Sequence, residues 1–133
     1  MGTICIIDDD EIYKLIFRKK LQMSGLELNL LEFKNGEDAM NYFTFVATQT
    51  AKFPQIVFLD INMPVSDGWD FLQKFAALKS IYLHSTAIYI VSAAQNVNDY
   101  MRAKSITEIS GYFVKPISDA HMKEIIDVAY KLT

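Results

Sequence analysis

Acidic, hydroxyl and amine side chains sit at four places in this sequence: Asp8, Asp9 and Asp10 in "IIDDDE", Asp60 in "FLDINMP", Ser92 in "IVSAA", and Lys115 ahead of Pro116 in "FVKPIS". Two or three carboxylates brought within a few ångströms repel one another, which raises their pKa values and costs stability unless a cation sits among them. An all-oxygen site of that kind suits Mg²⁺, which uses few protein carboxylates, keeps waters and accepts phosphate oxygens. A neighbouring lysine and hydroxyl can contact the remaining phosphoryl oxygens, and such electrostatic clamping is what phosphoryl transfer needs. Each segment alone has an ordinary explanation. Aspartates after a strand cap the next helix, an aspartate followed by Asn62 and Pro64 satisfies loop amides, and a lysine before proline is commonly solvated. One cap uses one side chain, however, so the triplet leaves two over.

The elements that must position these groups alternate along the chain. Short apolar runs at Ile4 to Ile7, Ile56 to Leu59 and Ala87 to Val91 lack a polar face, as expected of parallel strands covered on both sides. Leu26 to Phe33 and Tyr112 to Val114 are weaker strand candidates. Helical spacing follows each strand. After the first, Ile12, Leu15, Ile16 and Leu21 are expected inward and Lys14, Arg18 and Gln22 outward. Asn35, Asp67 and Ser118 can cap the second, third and last helices. The fourth helix, Val97 to Ile106, is the least apolar, with an inner face resting on Val97, Met101 and Ile106. The pattern is α/β, a doubly wound (βα)5 unit with a five-stranded parallel sheet and helices on both faces. In such a sheet the ligand site lies beyond the carboxyl ends of the strands, which is where Asp8 to Asp10, Asp60, Ser92 and Lys115 all fall.

Composition narrows the class. At 133 residues with 51% hydrophobic and 22% charged residues, the chain has the size and apolar content of a single domain, here 1–133 with no output domain. Thirteen basic against 16 acidic residues give a net charge of −3, which offers no basic field for nucleic acid or anionic lipid. The single Cys5 excludes an internal disulfide and a cysteine-rich zinc site. The apolar run at the N-terminus meets three aspartates after four residues, which fits neither a signal peptide nor a membrane span and points to a cytoplasmic protein.

These segments resemble the receiver domain of two-component response regulators, in particular the stand-alone, chemotaxis-regulator-like kind with a flavodoxin-like fold. "CIIDDDEIYKLI" is similar to the family's acidic pair after the first strand, and "VFLDINMPVSDGWDFL" to its phosphoacceptor segment. "IVSAA" and "GYFVKP" are similar to the ends of its fourth and fifth strands. The resemblance implies that Asp60 becomes an aspartyl phosphate, that Asp9 binds Mg²⁺ directly and that Asp8 assists through water. The carbonyl of Asn62 completes the ligands, while Ser92 and Lys115 contact phosphoryl oxygens. Pro116 sets the lysine's loop through a cis bond, and Tyr112 matches the aromatic switch position. The "NVNDYMRAKSITEISGYF" stretch departs from the family's common Ala-rich fourth helix, and "FTFVATQTAKFPQ" suggests a longer second helix or loop.

The implied protein is a phosphoacceptor rather than an enzyme, with slow self-dephosphorylation. Its partners are a sensor histidine kinase or phosphotransfer protein, and a separate effector reached through the fourth helix, fifth strand and fifth helix. A homodimer is also open, and neither nucleic acid nor membrane is expected. Two rival readings compete with it. A phosphatase of the haloacid dehalogenase type needs a second carboxylate two residues after the nucleophile, where this chain has Asn62. A receiver-like interaction module that takes no phosphate would not require the full set of acidic, hydroxyl and amine groups present here.

Overall fold

The computed structural model describes residues 2–63, 68–93 and 96–131. Its elements in chain order are β1 (Gly2–Ile7), α1 (Glu11–Met23), β2 (Leu28–Phe33), α2 (Gly36–Phe45), β3 (Ile56–Leu59), α3 (Gly68–Ile81), β4 (Ala87–Ser92), α4 (Val97–Lys104), β5 (Ile109–Val114) and α5 (Asp119–Lys131). The strands form one parallel sheet in the order β2-β1-β3-β4-β5. Strand order reverses between β1 and β3, so the crevice at their carboxyl ends is the switch point where α/β sheets bind ligands.

Alternation along the central strands divides the core in two. Ile4 and Ile6 of β1 and Phe58 of β3 pack with Phe17 and Leu21 of α1 and Ile125 and Ile126 of α5. Cys5 and Ile7 point the other way, with Leu59, onto Phe43 of α2 and Phe71 and Phe75 of α3. Period-two side chains on strands covered on both faces require this split. A smaller cluster of Ile61, Ile90 and Ala103 seats α4 on the α2/α3 face.

Helix α1 is rotated relative to the sequence expectation. Leu21 is buried as expected, but Ile12, Leu15 and Ile16 are exposed and Lys14 is buried. The deciding residue is Phe17, which packs edge-to-face on Phe58 with ring centroids 5.2 Å apart. Seating the bulkiest purely apolar side chain of the helix leaves positions 14, 17 and 21 facing the sheet. Lys14 has its charge paired by Glu11 at the exposed helix start, at 2.8 Å. Helix α4 also departs: Val97 and Met101 are exposed, and Ala103 is the residue that enters the core. It ends at Lys104, leaving Ile106 outside the helix but packed against the α2/α3 cluster. A small residue at 103 lets the helix lie close to Ile61 and Ile90, which turns its larger apolar residues outward.

Strand β5 begins at Ile109, earlier than expected, and β2 begins later, at Leu28. Asn35 caps α2 through the amide of Asp38, and Ser118 accepts the amide of His121 at the start of α5. The expected cap Asp67 lies outside the described residues. After α2 the chain makes a short 3₁₀ turn at Thr50–Lys52 rather than a longer helix.

Helix α3 ends in a Schellman motif, with His84 N–H donating to the Lys79 carbonyl at 2.9 Å and Leu83 N–H to Ser80 at 3.4 Å. The left-handed position that glycine normally takes is held by Leu83, at φ 56° and 89% exposed. A side chain with a Cβ costs about 1–2 kcal/mol there, and Leu83 makes no burial to offset it. Leu83→Gly is therefore expected to raise stability by about 1 kcal/mol, measured by urea denaturation; a loss of stability would show that Leu83 makes a contact that this end of the helix needs.

Candidate functional site

The acidic triplet divides its work at the end of β1. Asp10 is the cap: its carboxylate accepts from the amides of Ile12 and Tyr13, both at 3.0 Å. Asp8 is buried, takes the Asp10 amide on Oδ1 at 2.9 Å, and turns Oδ2 to the Lys115 ammonium at 2.6 Å. Asp9 stays exposed. Carboxylate oxygens of Asp8, Asp9 and Asp60 all lie within 4.8 Å of one another.

Asp60 follows β3 and is 4% exposed. Its Oδ1 accepts the amide of Asn62 at 2.9 Å, while Oδ2 faces Lys115 Nζ at 3.4 Å. The Asn62 side chain reaches across to Ser92, donating from Nδ2 to Oγ at 2.8 Å. The amide of Lys115 donates to the Ser92 carbonyl at 2.8 Å, which ties the β4 and β5 ends together, and the Lys115–Pro116 bond is cis. The structure thus brings Asp8, Asp9, Asp60, Asn62, Ser92 and Lys115 to one edge of the sheet.

Burial raises the Asp8 carboxyl above the ordinary aspartate range, against the pull of Lys115 and of the Asp10 amide. Burial pulls the Lys115 ammonium down, but Asp8 first and Asp60 with it outweigh burial and hold it above the ordinary lysine range. Three carboxylates thus cluster where Lys115 pairs with two of them. Together with the all-oxygen donor set, that residual negative charge fits a small divalent cation.

The chain matches the family model described as response regulator receiver domain over residues 4–127. It belongs to the response regulator receiver domain family. The receiver superposes on a two-component response regulator from Cytophaga hutchinsonii with a TM-score of 0.85 at 19% identity, covering 98% of both chains. It is 20% identical to the probable methanogenesis regulatory protein FilR2 of Methanothrix harundinacea over 93% of this chain and 78% of that protein. It is 26% identical to the sensor histidine kinase CheAY of Helicobacter pylori over 97% of this chain but only 15% of that protein. In another relative, a protein-glutamate methylesterase/protein-glutamine glutaminase of Hahella chejuensis, the receiver likewise spans 29% of the length.

Tyr112, expected from the resemblance to match the aromatic switch position, lies on β5 of this receiver, half-buried beside Ile61, Ile90 and Ala103. Its ring packs edge-to-face on Tyr100 of α4 at 5.6 Å, and its hydroxyl is buried without a hydrogen-bond partner among the described residues. Helix α4 is also tied to α3, where the Arg102 guanidinium lies over the Trp69 ring at 4.4 Å.

Two residues near the site had no role assigned to them from the sequence. Gly68 opens α3 against the backbone of the Asp60 segment, and a Cβ there would come within 2.7 Å of Ile61 Cα and 2.8 Å of the Asp60 carbonyl. Tyr13, in the first turn of α1, places its ring under the Lys115 ammonium, 4.6 Å from Nζ to centroid. The "DG" of the acceptor segment could have pointed to the first; nothing in the spacing between residues 13 and 115 points to the second.

Proposed function

We propose that this receiver is a phosphoacceptor switch that takes a phosphoryl group from a histidine kinase or phosphotransfer protein onto Asp60, with Mg²⁺ held by Asp8, Asp9, Asp60 and the Asn62 carbonyl. The observation that supports this best is the setting of the Asp60 carboxylate: Oδ1 is fixed by the Asn62 amide and Oδ2 faces the Lys115 ammonium. A carboxylate oxygen so held can attack phosphorus in line while the bond from phosphorus to the donor nitrogen breaks and its electron pair returns to the imidazole. The bound cation supplies charge neutralisation for the incoming phosphoryl oxygens. Lys115 then exchanges a carboxylate for a phosphoryl oxygen, and Ser92 exchanges the Asn62 amide for another.

Leaving Asn62 draws the end of β4 toward the phosphoryl group, and the Tyr112 ring repacks behind it. The surface that feels this repacking is α4, β5 and α5, where Val97 and Met101 are already exposed. A separate effector or a second copy of the chain binds there, and phosphorylation biases it through differential affinity for the two packings. The donor docks on the other side of the site, where Ile12, Leu15 and Ile16 present an exposed apolar stripe on α1. Among the described residues no helix is long and apolar enough to cross a membrane.

The test is incubation of the purified protein with acetyl phosphate, with and without Mg²⁺, read by intact mass. A phosphoryl adduct that depends on Mg²⁺ is expected, and no adduct in either arm would overturn the reading. Asp9→Ala should weaken Mg²⁺ affinity by about tenfold or more, seen as loss of Mg²⁺-dependent thermal stabilisation. The metal-free variant should be no less stable than the parent, because a like charge leaves the Asp8 and Asp60 pair. Unchanged Mg²⁺ affinity would remove Asp9 from the ligand set.

A further inference from the structure

We infer that Tyr13 is a positioning residue for phosphoryl transfer, holding the Lys115 ammonium in the site once the carboxylates around it are engaged by a cation. The inference rests on the phosphoacceptor reading and extends it to a residue outside the acidic, hydroxyl and amine set.

Among the described residues, three groups contact Lys115 Nζ: Asp8 Oδ2 at 2.6 Å, Asp60 Oδ2 at 3.4 Å and the face of the Tyr13 ring at 4.6 Å. Both carboxylates belong to the cluster that fits a divalent cation. A cation drawn into that cluster competes for both of them and repels the ammonium besides. The Lys115 side chain is 14% exposed, so it already lies near the mouth of the site with water as the alternative. Among the described residues, the ring is the one neighbour that attracts an ammonium and does not ligate a hard divalent ion. Its attraction persists when the other two contacts are exchanged.

Tyr13 is itself held for this task. Its amide donates to Asp10 Oδ1 at 3.0 Å, and the Asp10 amide donates to Asp8 Oδ1 at 2.9 Å. Asp8, Asp10, Tyr13 and Lys115 therefore form a closed circuit of contacts, with the helix cap as one side. The ring also packs against the α1/α5 core cluster, which limits its rotation. A ring fixed by core and cap gives the ammonium a preformed seat that costs no reorganisation during transfer.

The experiment replaces Tyr13 by phenylalanine and by 3,5-difluoro- and pentafluorophenylalanine, a series that weakens the negative face of the ring while keeping its shape. In Mg²⁺, acetyl phosphate gives its phosphoryl group to the Asp60 carboxylate and acetate leaves; the rate is read by intact mass. Tyr13→Phe is expected to stay within about twofold of the parent, and the pentafluoro variant to be slower by about five-fold, the factor that roughly 1 kcal/mol of cation–π attraction represents. The second readout is the ring-current shift of the Lys115 ε-methylene protons, which should stay upfield after Mg²⁺ and beryllofluoride are added and should vanish in Tyr13→Leu. Equal rates across the fluorinated series, or an ε-methylene shift that disappears from the parent on adding Mg²⁺, would overturn the inference. A parent protein that takes up no phosphoryl group would instead defeat the phosphoacceptor reading, and the ε-methylene shift in Mg²⁺ would still decide whether Tyr13 holds Lys115.

Discussion

Asp60→Asn is expected to abolish phosphoryl uptake from acetyl phosphate while leaving the protein folded. The amide keeps an oxygen to accept the Asn62 N–H that Oδ1 accepts at 2.9 Å, so the loop after β3 retains its anchor. What it loses is the charged oxygen that faces Lys115 at 3.4 Å, which is both the nucleophile and one of the carboxylates available to a metal. Lys115 is not left unpaired by the change, because its shorter contact is to Asp8 at 2.6 Å. Removing one of three clustered carboxylates also relieves repulsion, so stability should change by no more than about 1–2 kcal/mol in either direction. Intact mass after acetyl phosphate treatment, together with a urea melt, separates the two effects. Labelling that persists in the variant would place the acceptor on another residue.

Gly68→Ala is the substitution outside the acidic cluster with the largest expected effect. The added methyl group would lie 2.7 Å from Ile61 Cα and 2.8 Å from the Asp60 carbonyl oxygen. Both are backbone atoms, so no side-chain rotation relieves the clash, and either α3 or the Asp60 segment has to move. Overpacking of this kind costs about 1–3 kcal/mol. The functional cost should be larger in proportion, because the Asp60 carboxylate is held by short contacts to the same segment, and a displacement of about 1 Å at a reacting group can cost on the order of 100-fold in rate. Phosphoryl uptake at least about tenfold slower, with a stability loss of about 2 kcal/mol, is the expected result. A variant with the parent's rate and midpoint would mean that α3 shifts instead and that Gly68 has no part in placing Asp60.

The general architecture was legible in the amino-acid order alone. Apolar runs of four or five residues without a polar face, each followed by helical spacing, admit few arrangements besides a parallel sheet between helical layers. That arrangement sends every residue just after a strand to the same edge, so Asp8, Asp60, Ser92 and Lys115 were bound to meet once the strands were placed. Local chemistry was legible too, since Asn35 and Ser118 act within three residues of themselves.

What the linear order left open was orientation and pairing. Helix α1 carries Ile12, Leu15, Ile16, Phe17 and Leu21 around more than half of its circumference, so its periodicity does not single out one face. The choice was made by the sheet, where Phe58 offers a partner for Phe17 and leaves Ile12, Leu15 and Ile16 outside. Helix α4 was decided in the same way by the room that Ala103 finds beside Ile61 and Ile90. At the site, sequence places a lysine near several carboxylates but does not rank them. The preference of Lys115 for Asp8 over Asp60, and its seat on Tyr13, follow from how β5 lies beside β4 and how the Asp10 cap sets the first turn of α1. Charge and shape act through space at distances of a few ångströms, and residues 13 and 115 become neighbours only when α1 and the end of β5 are folded against the same edge of the sheet.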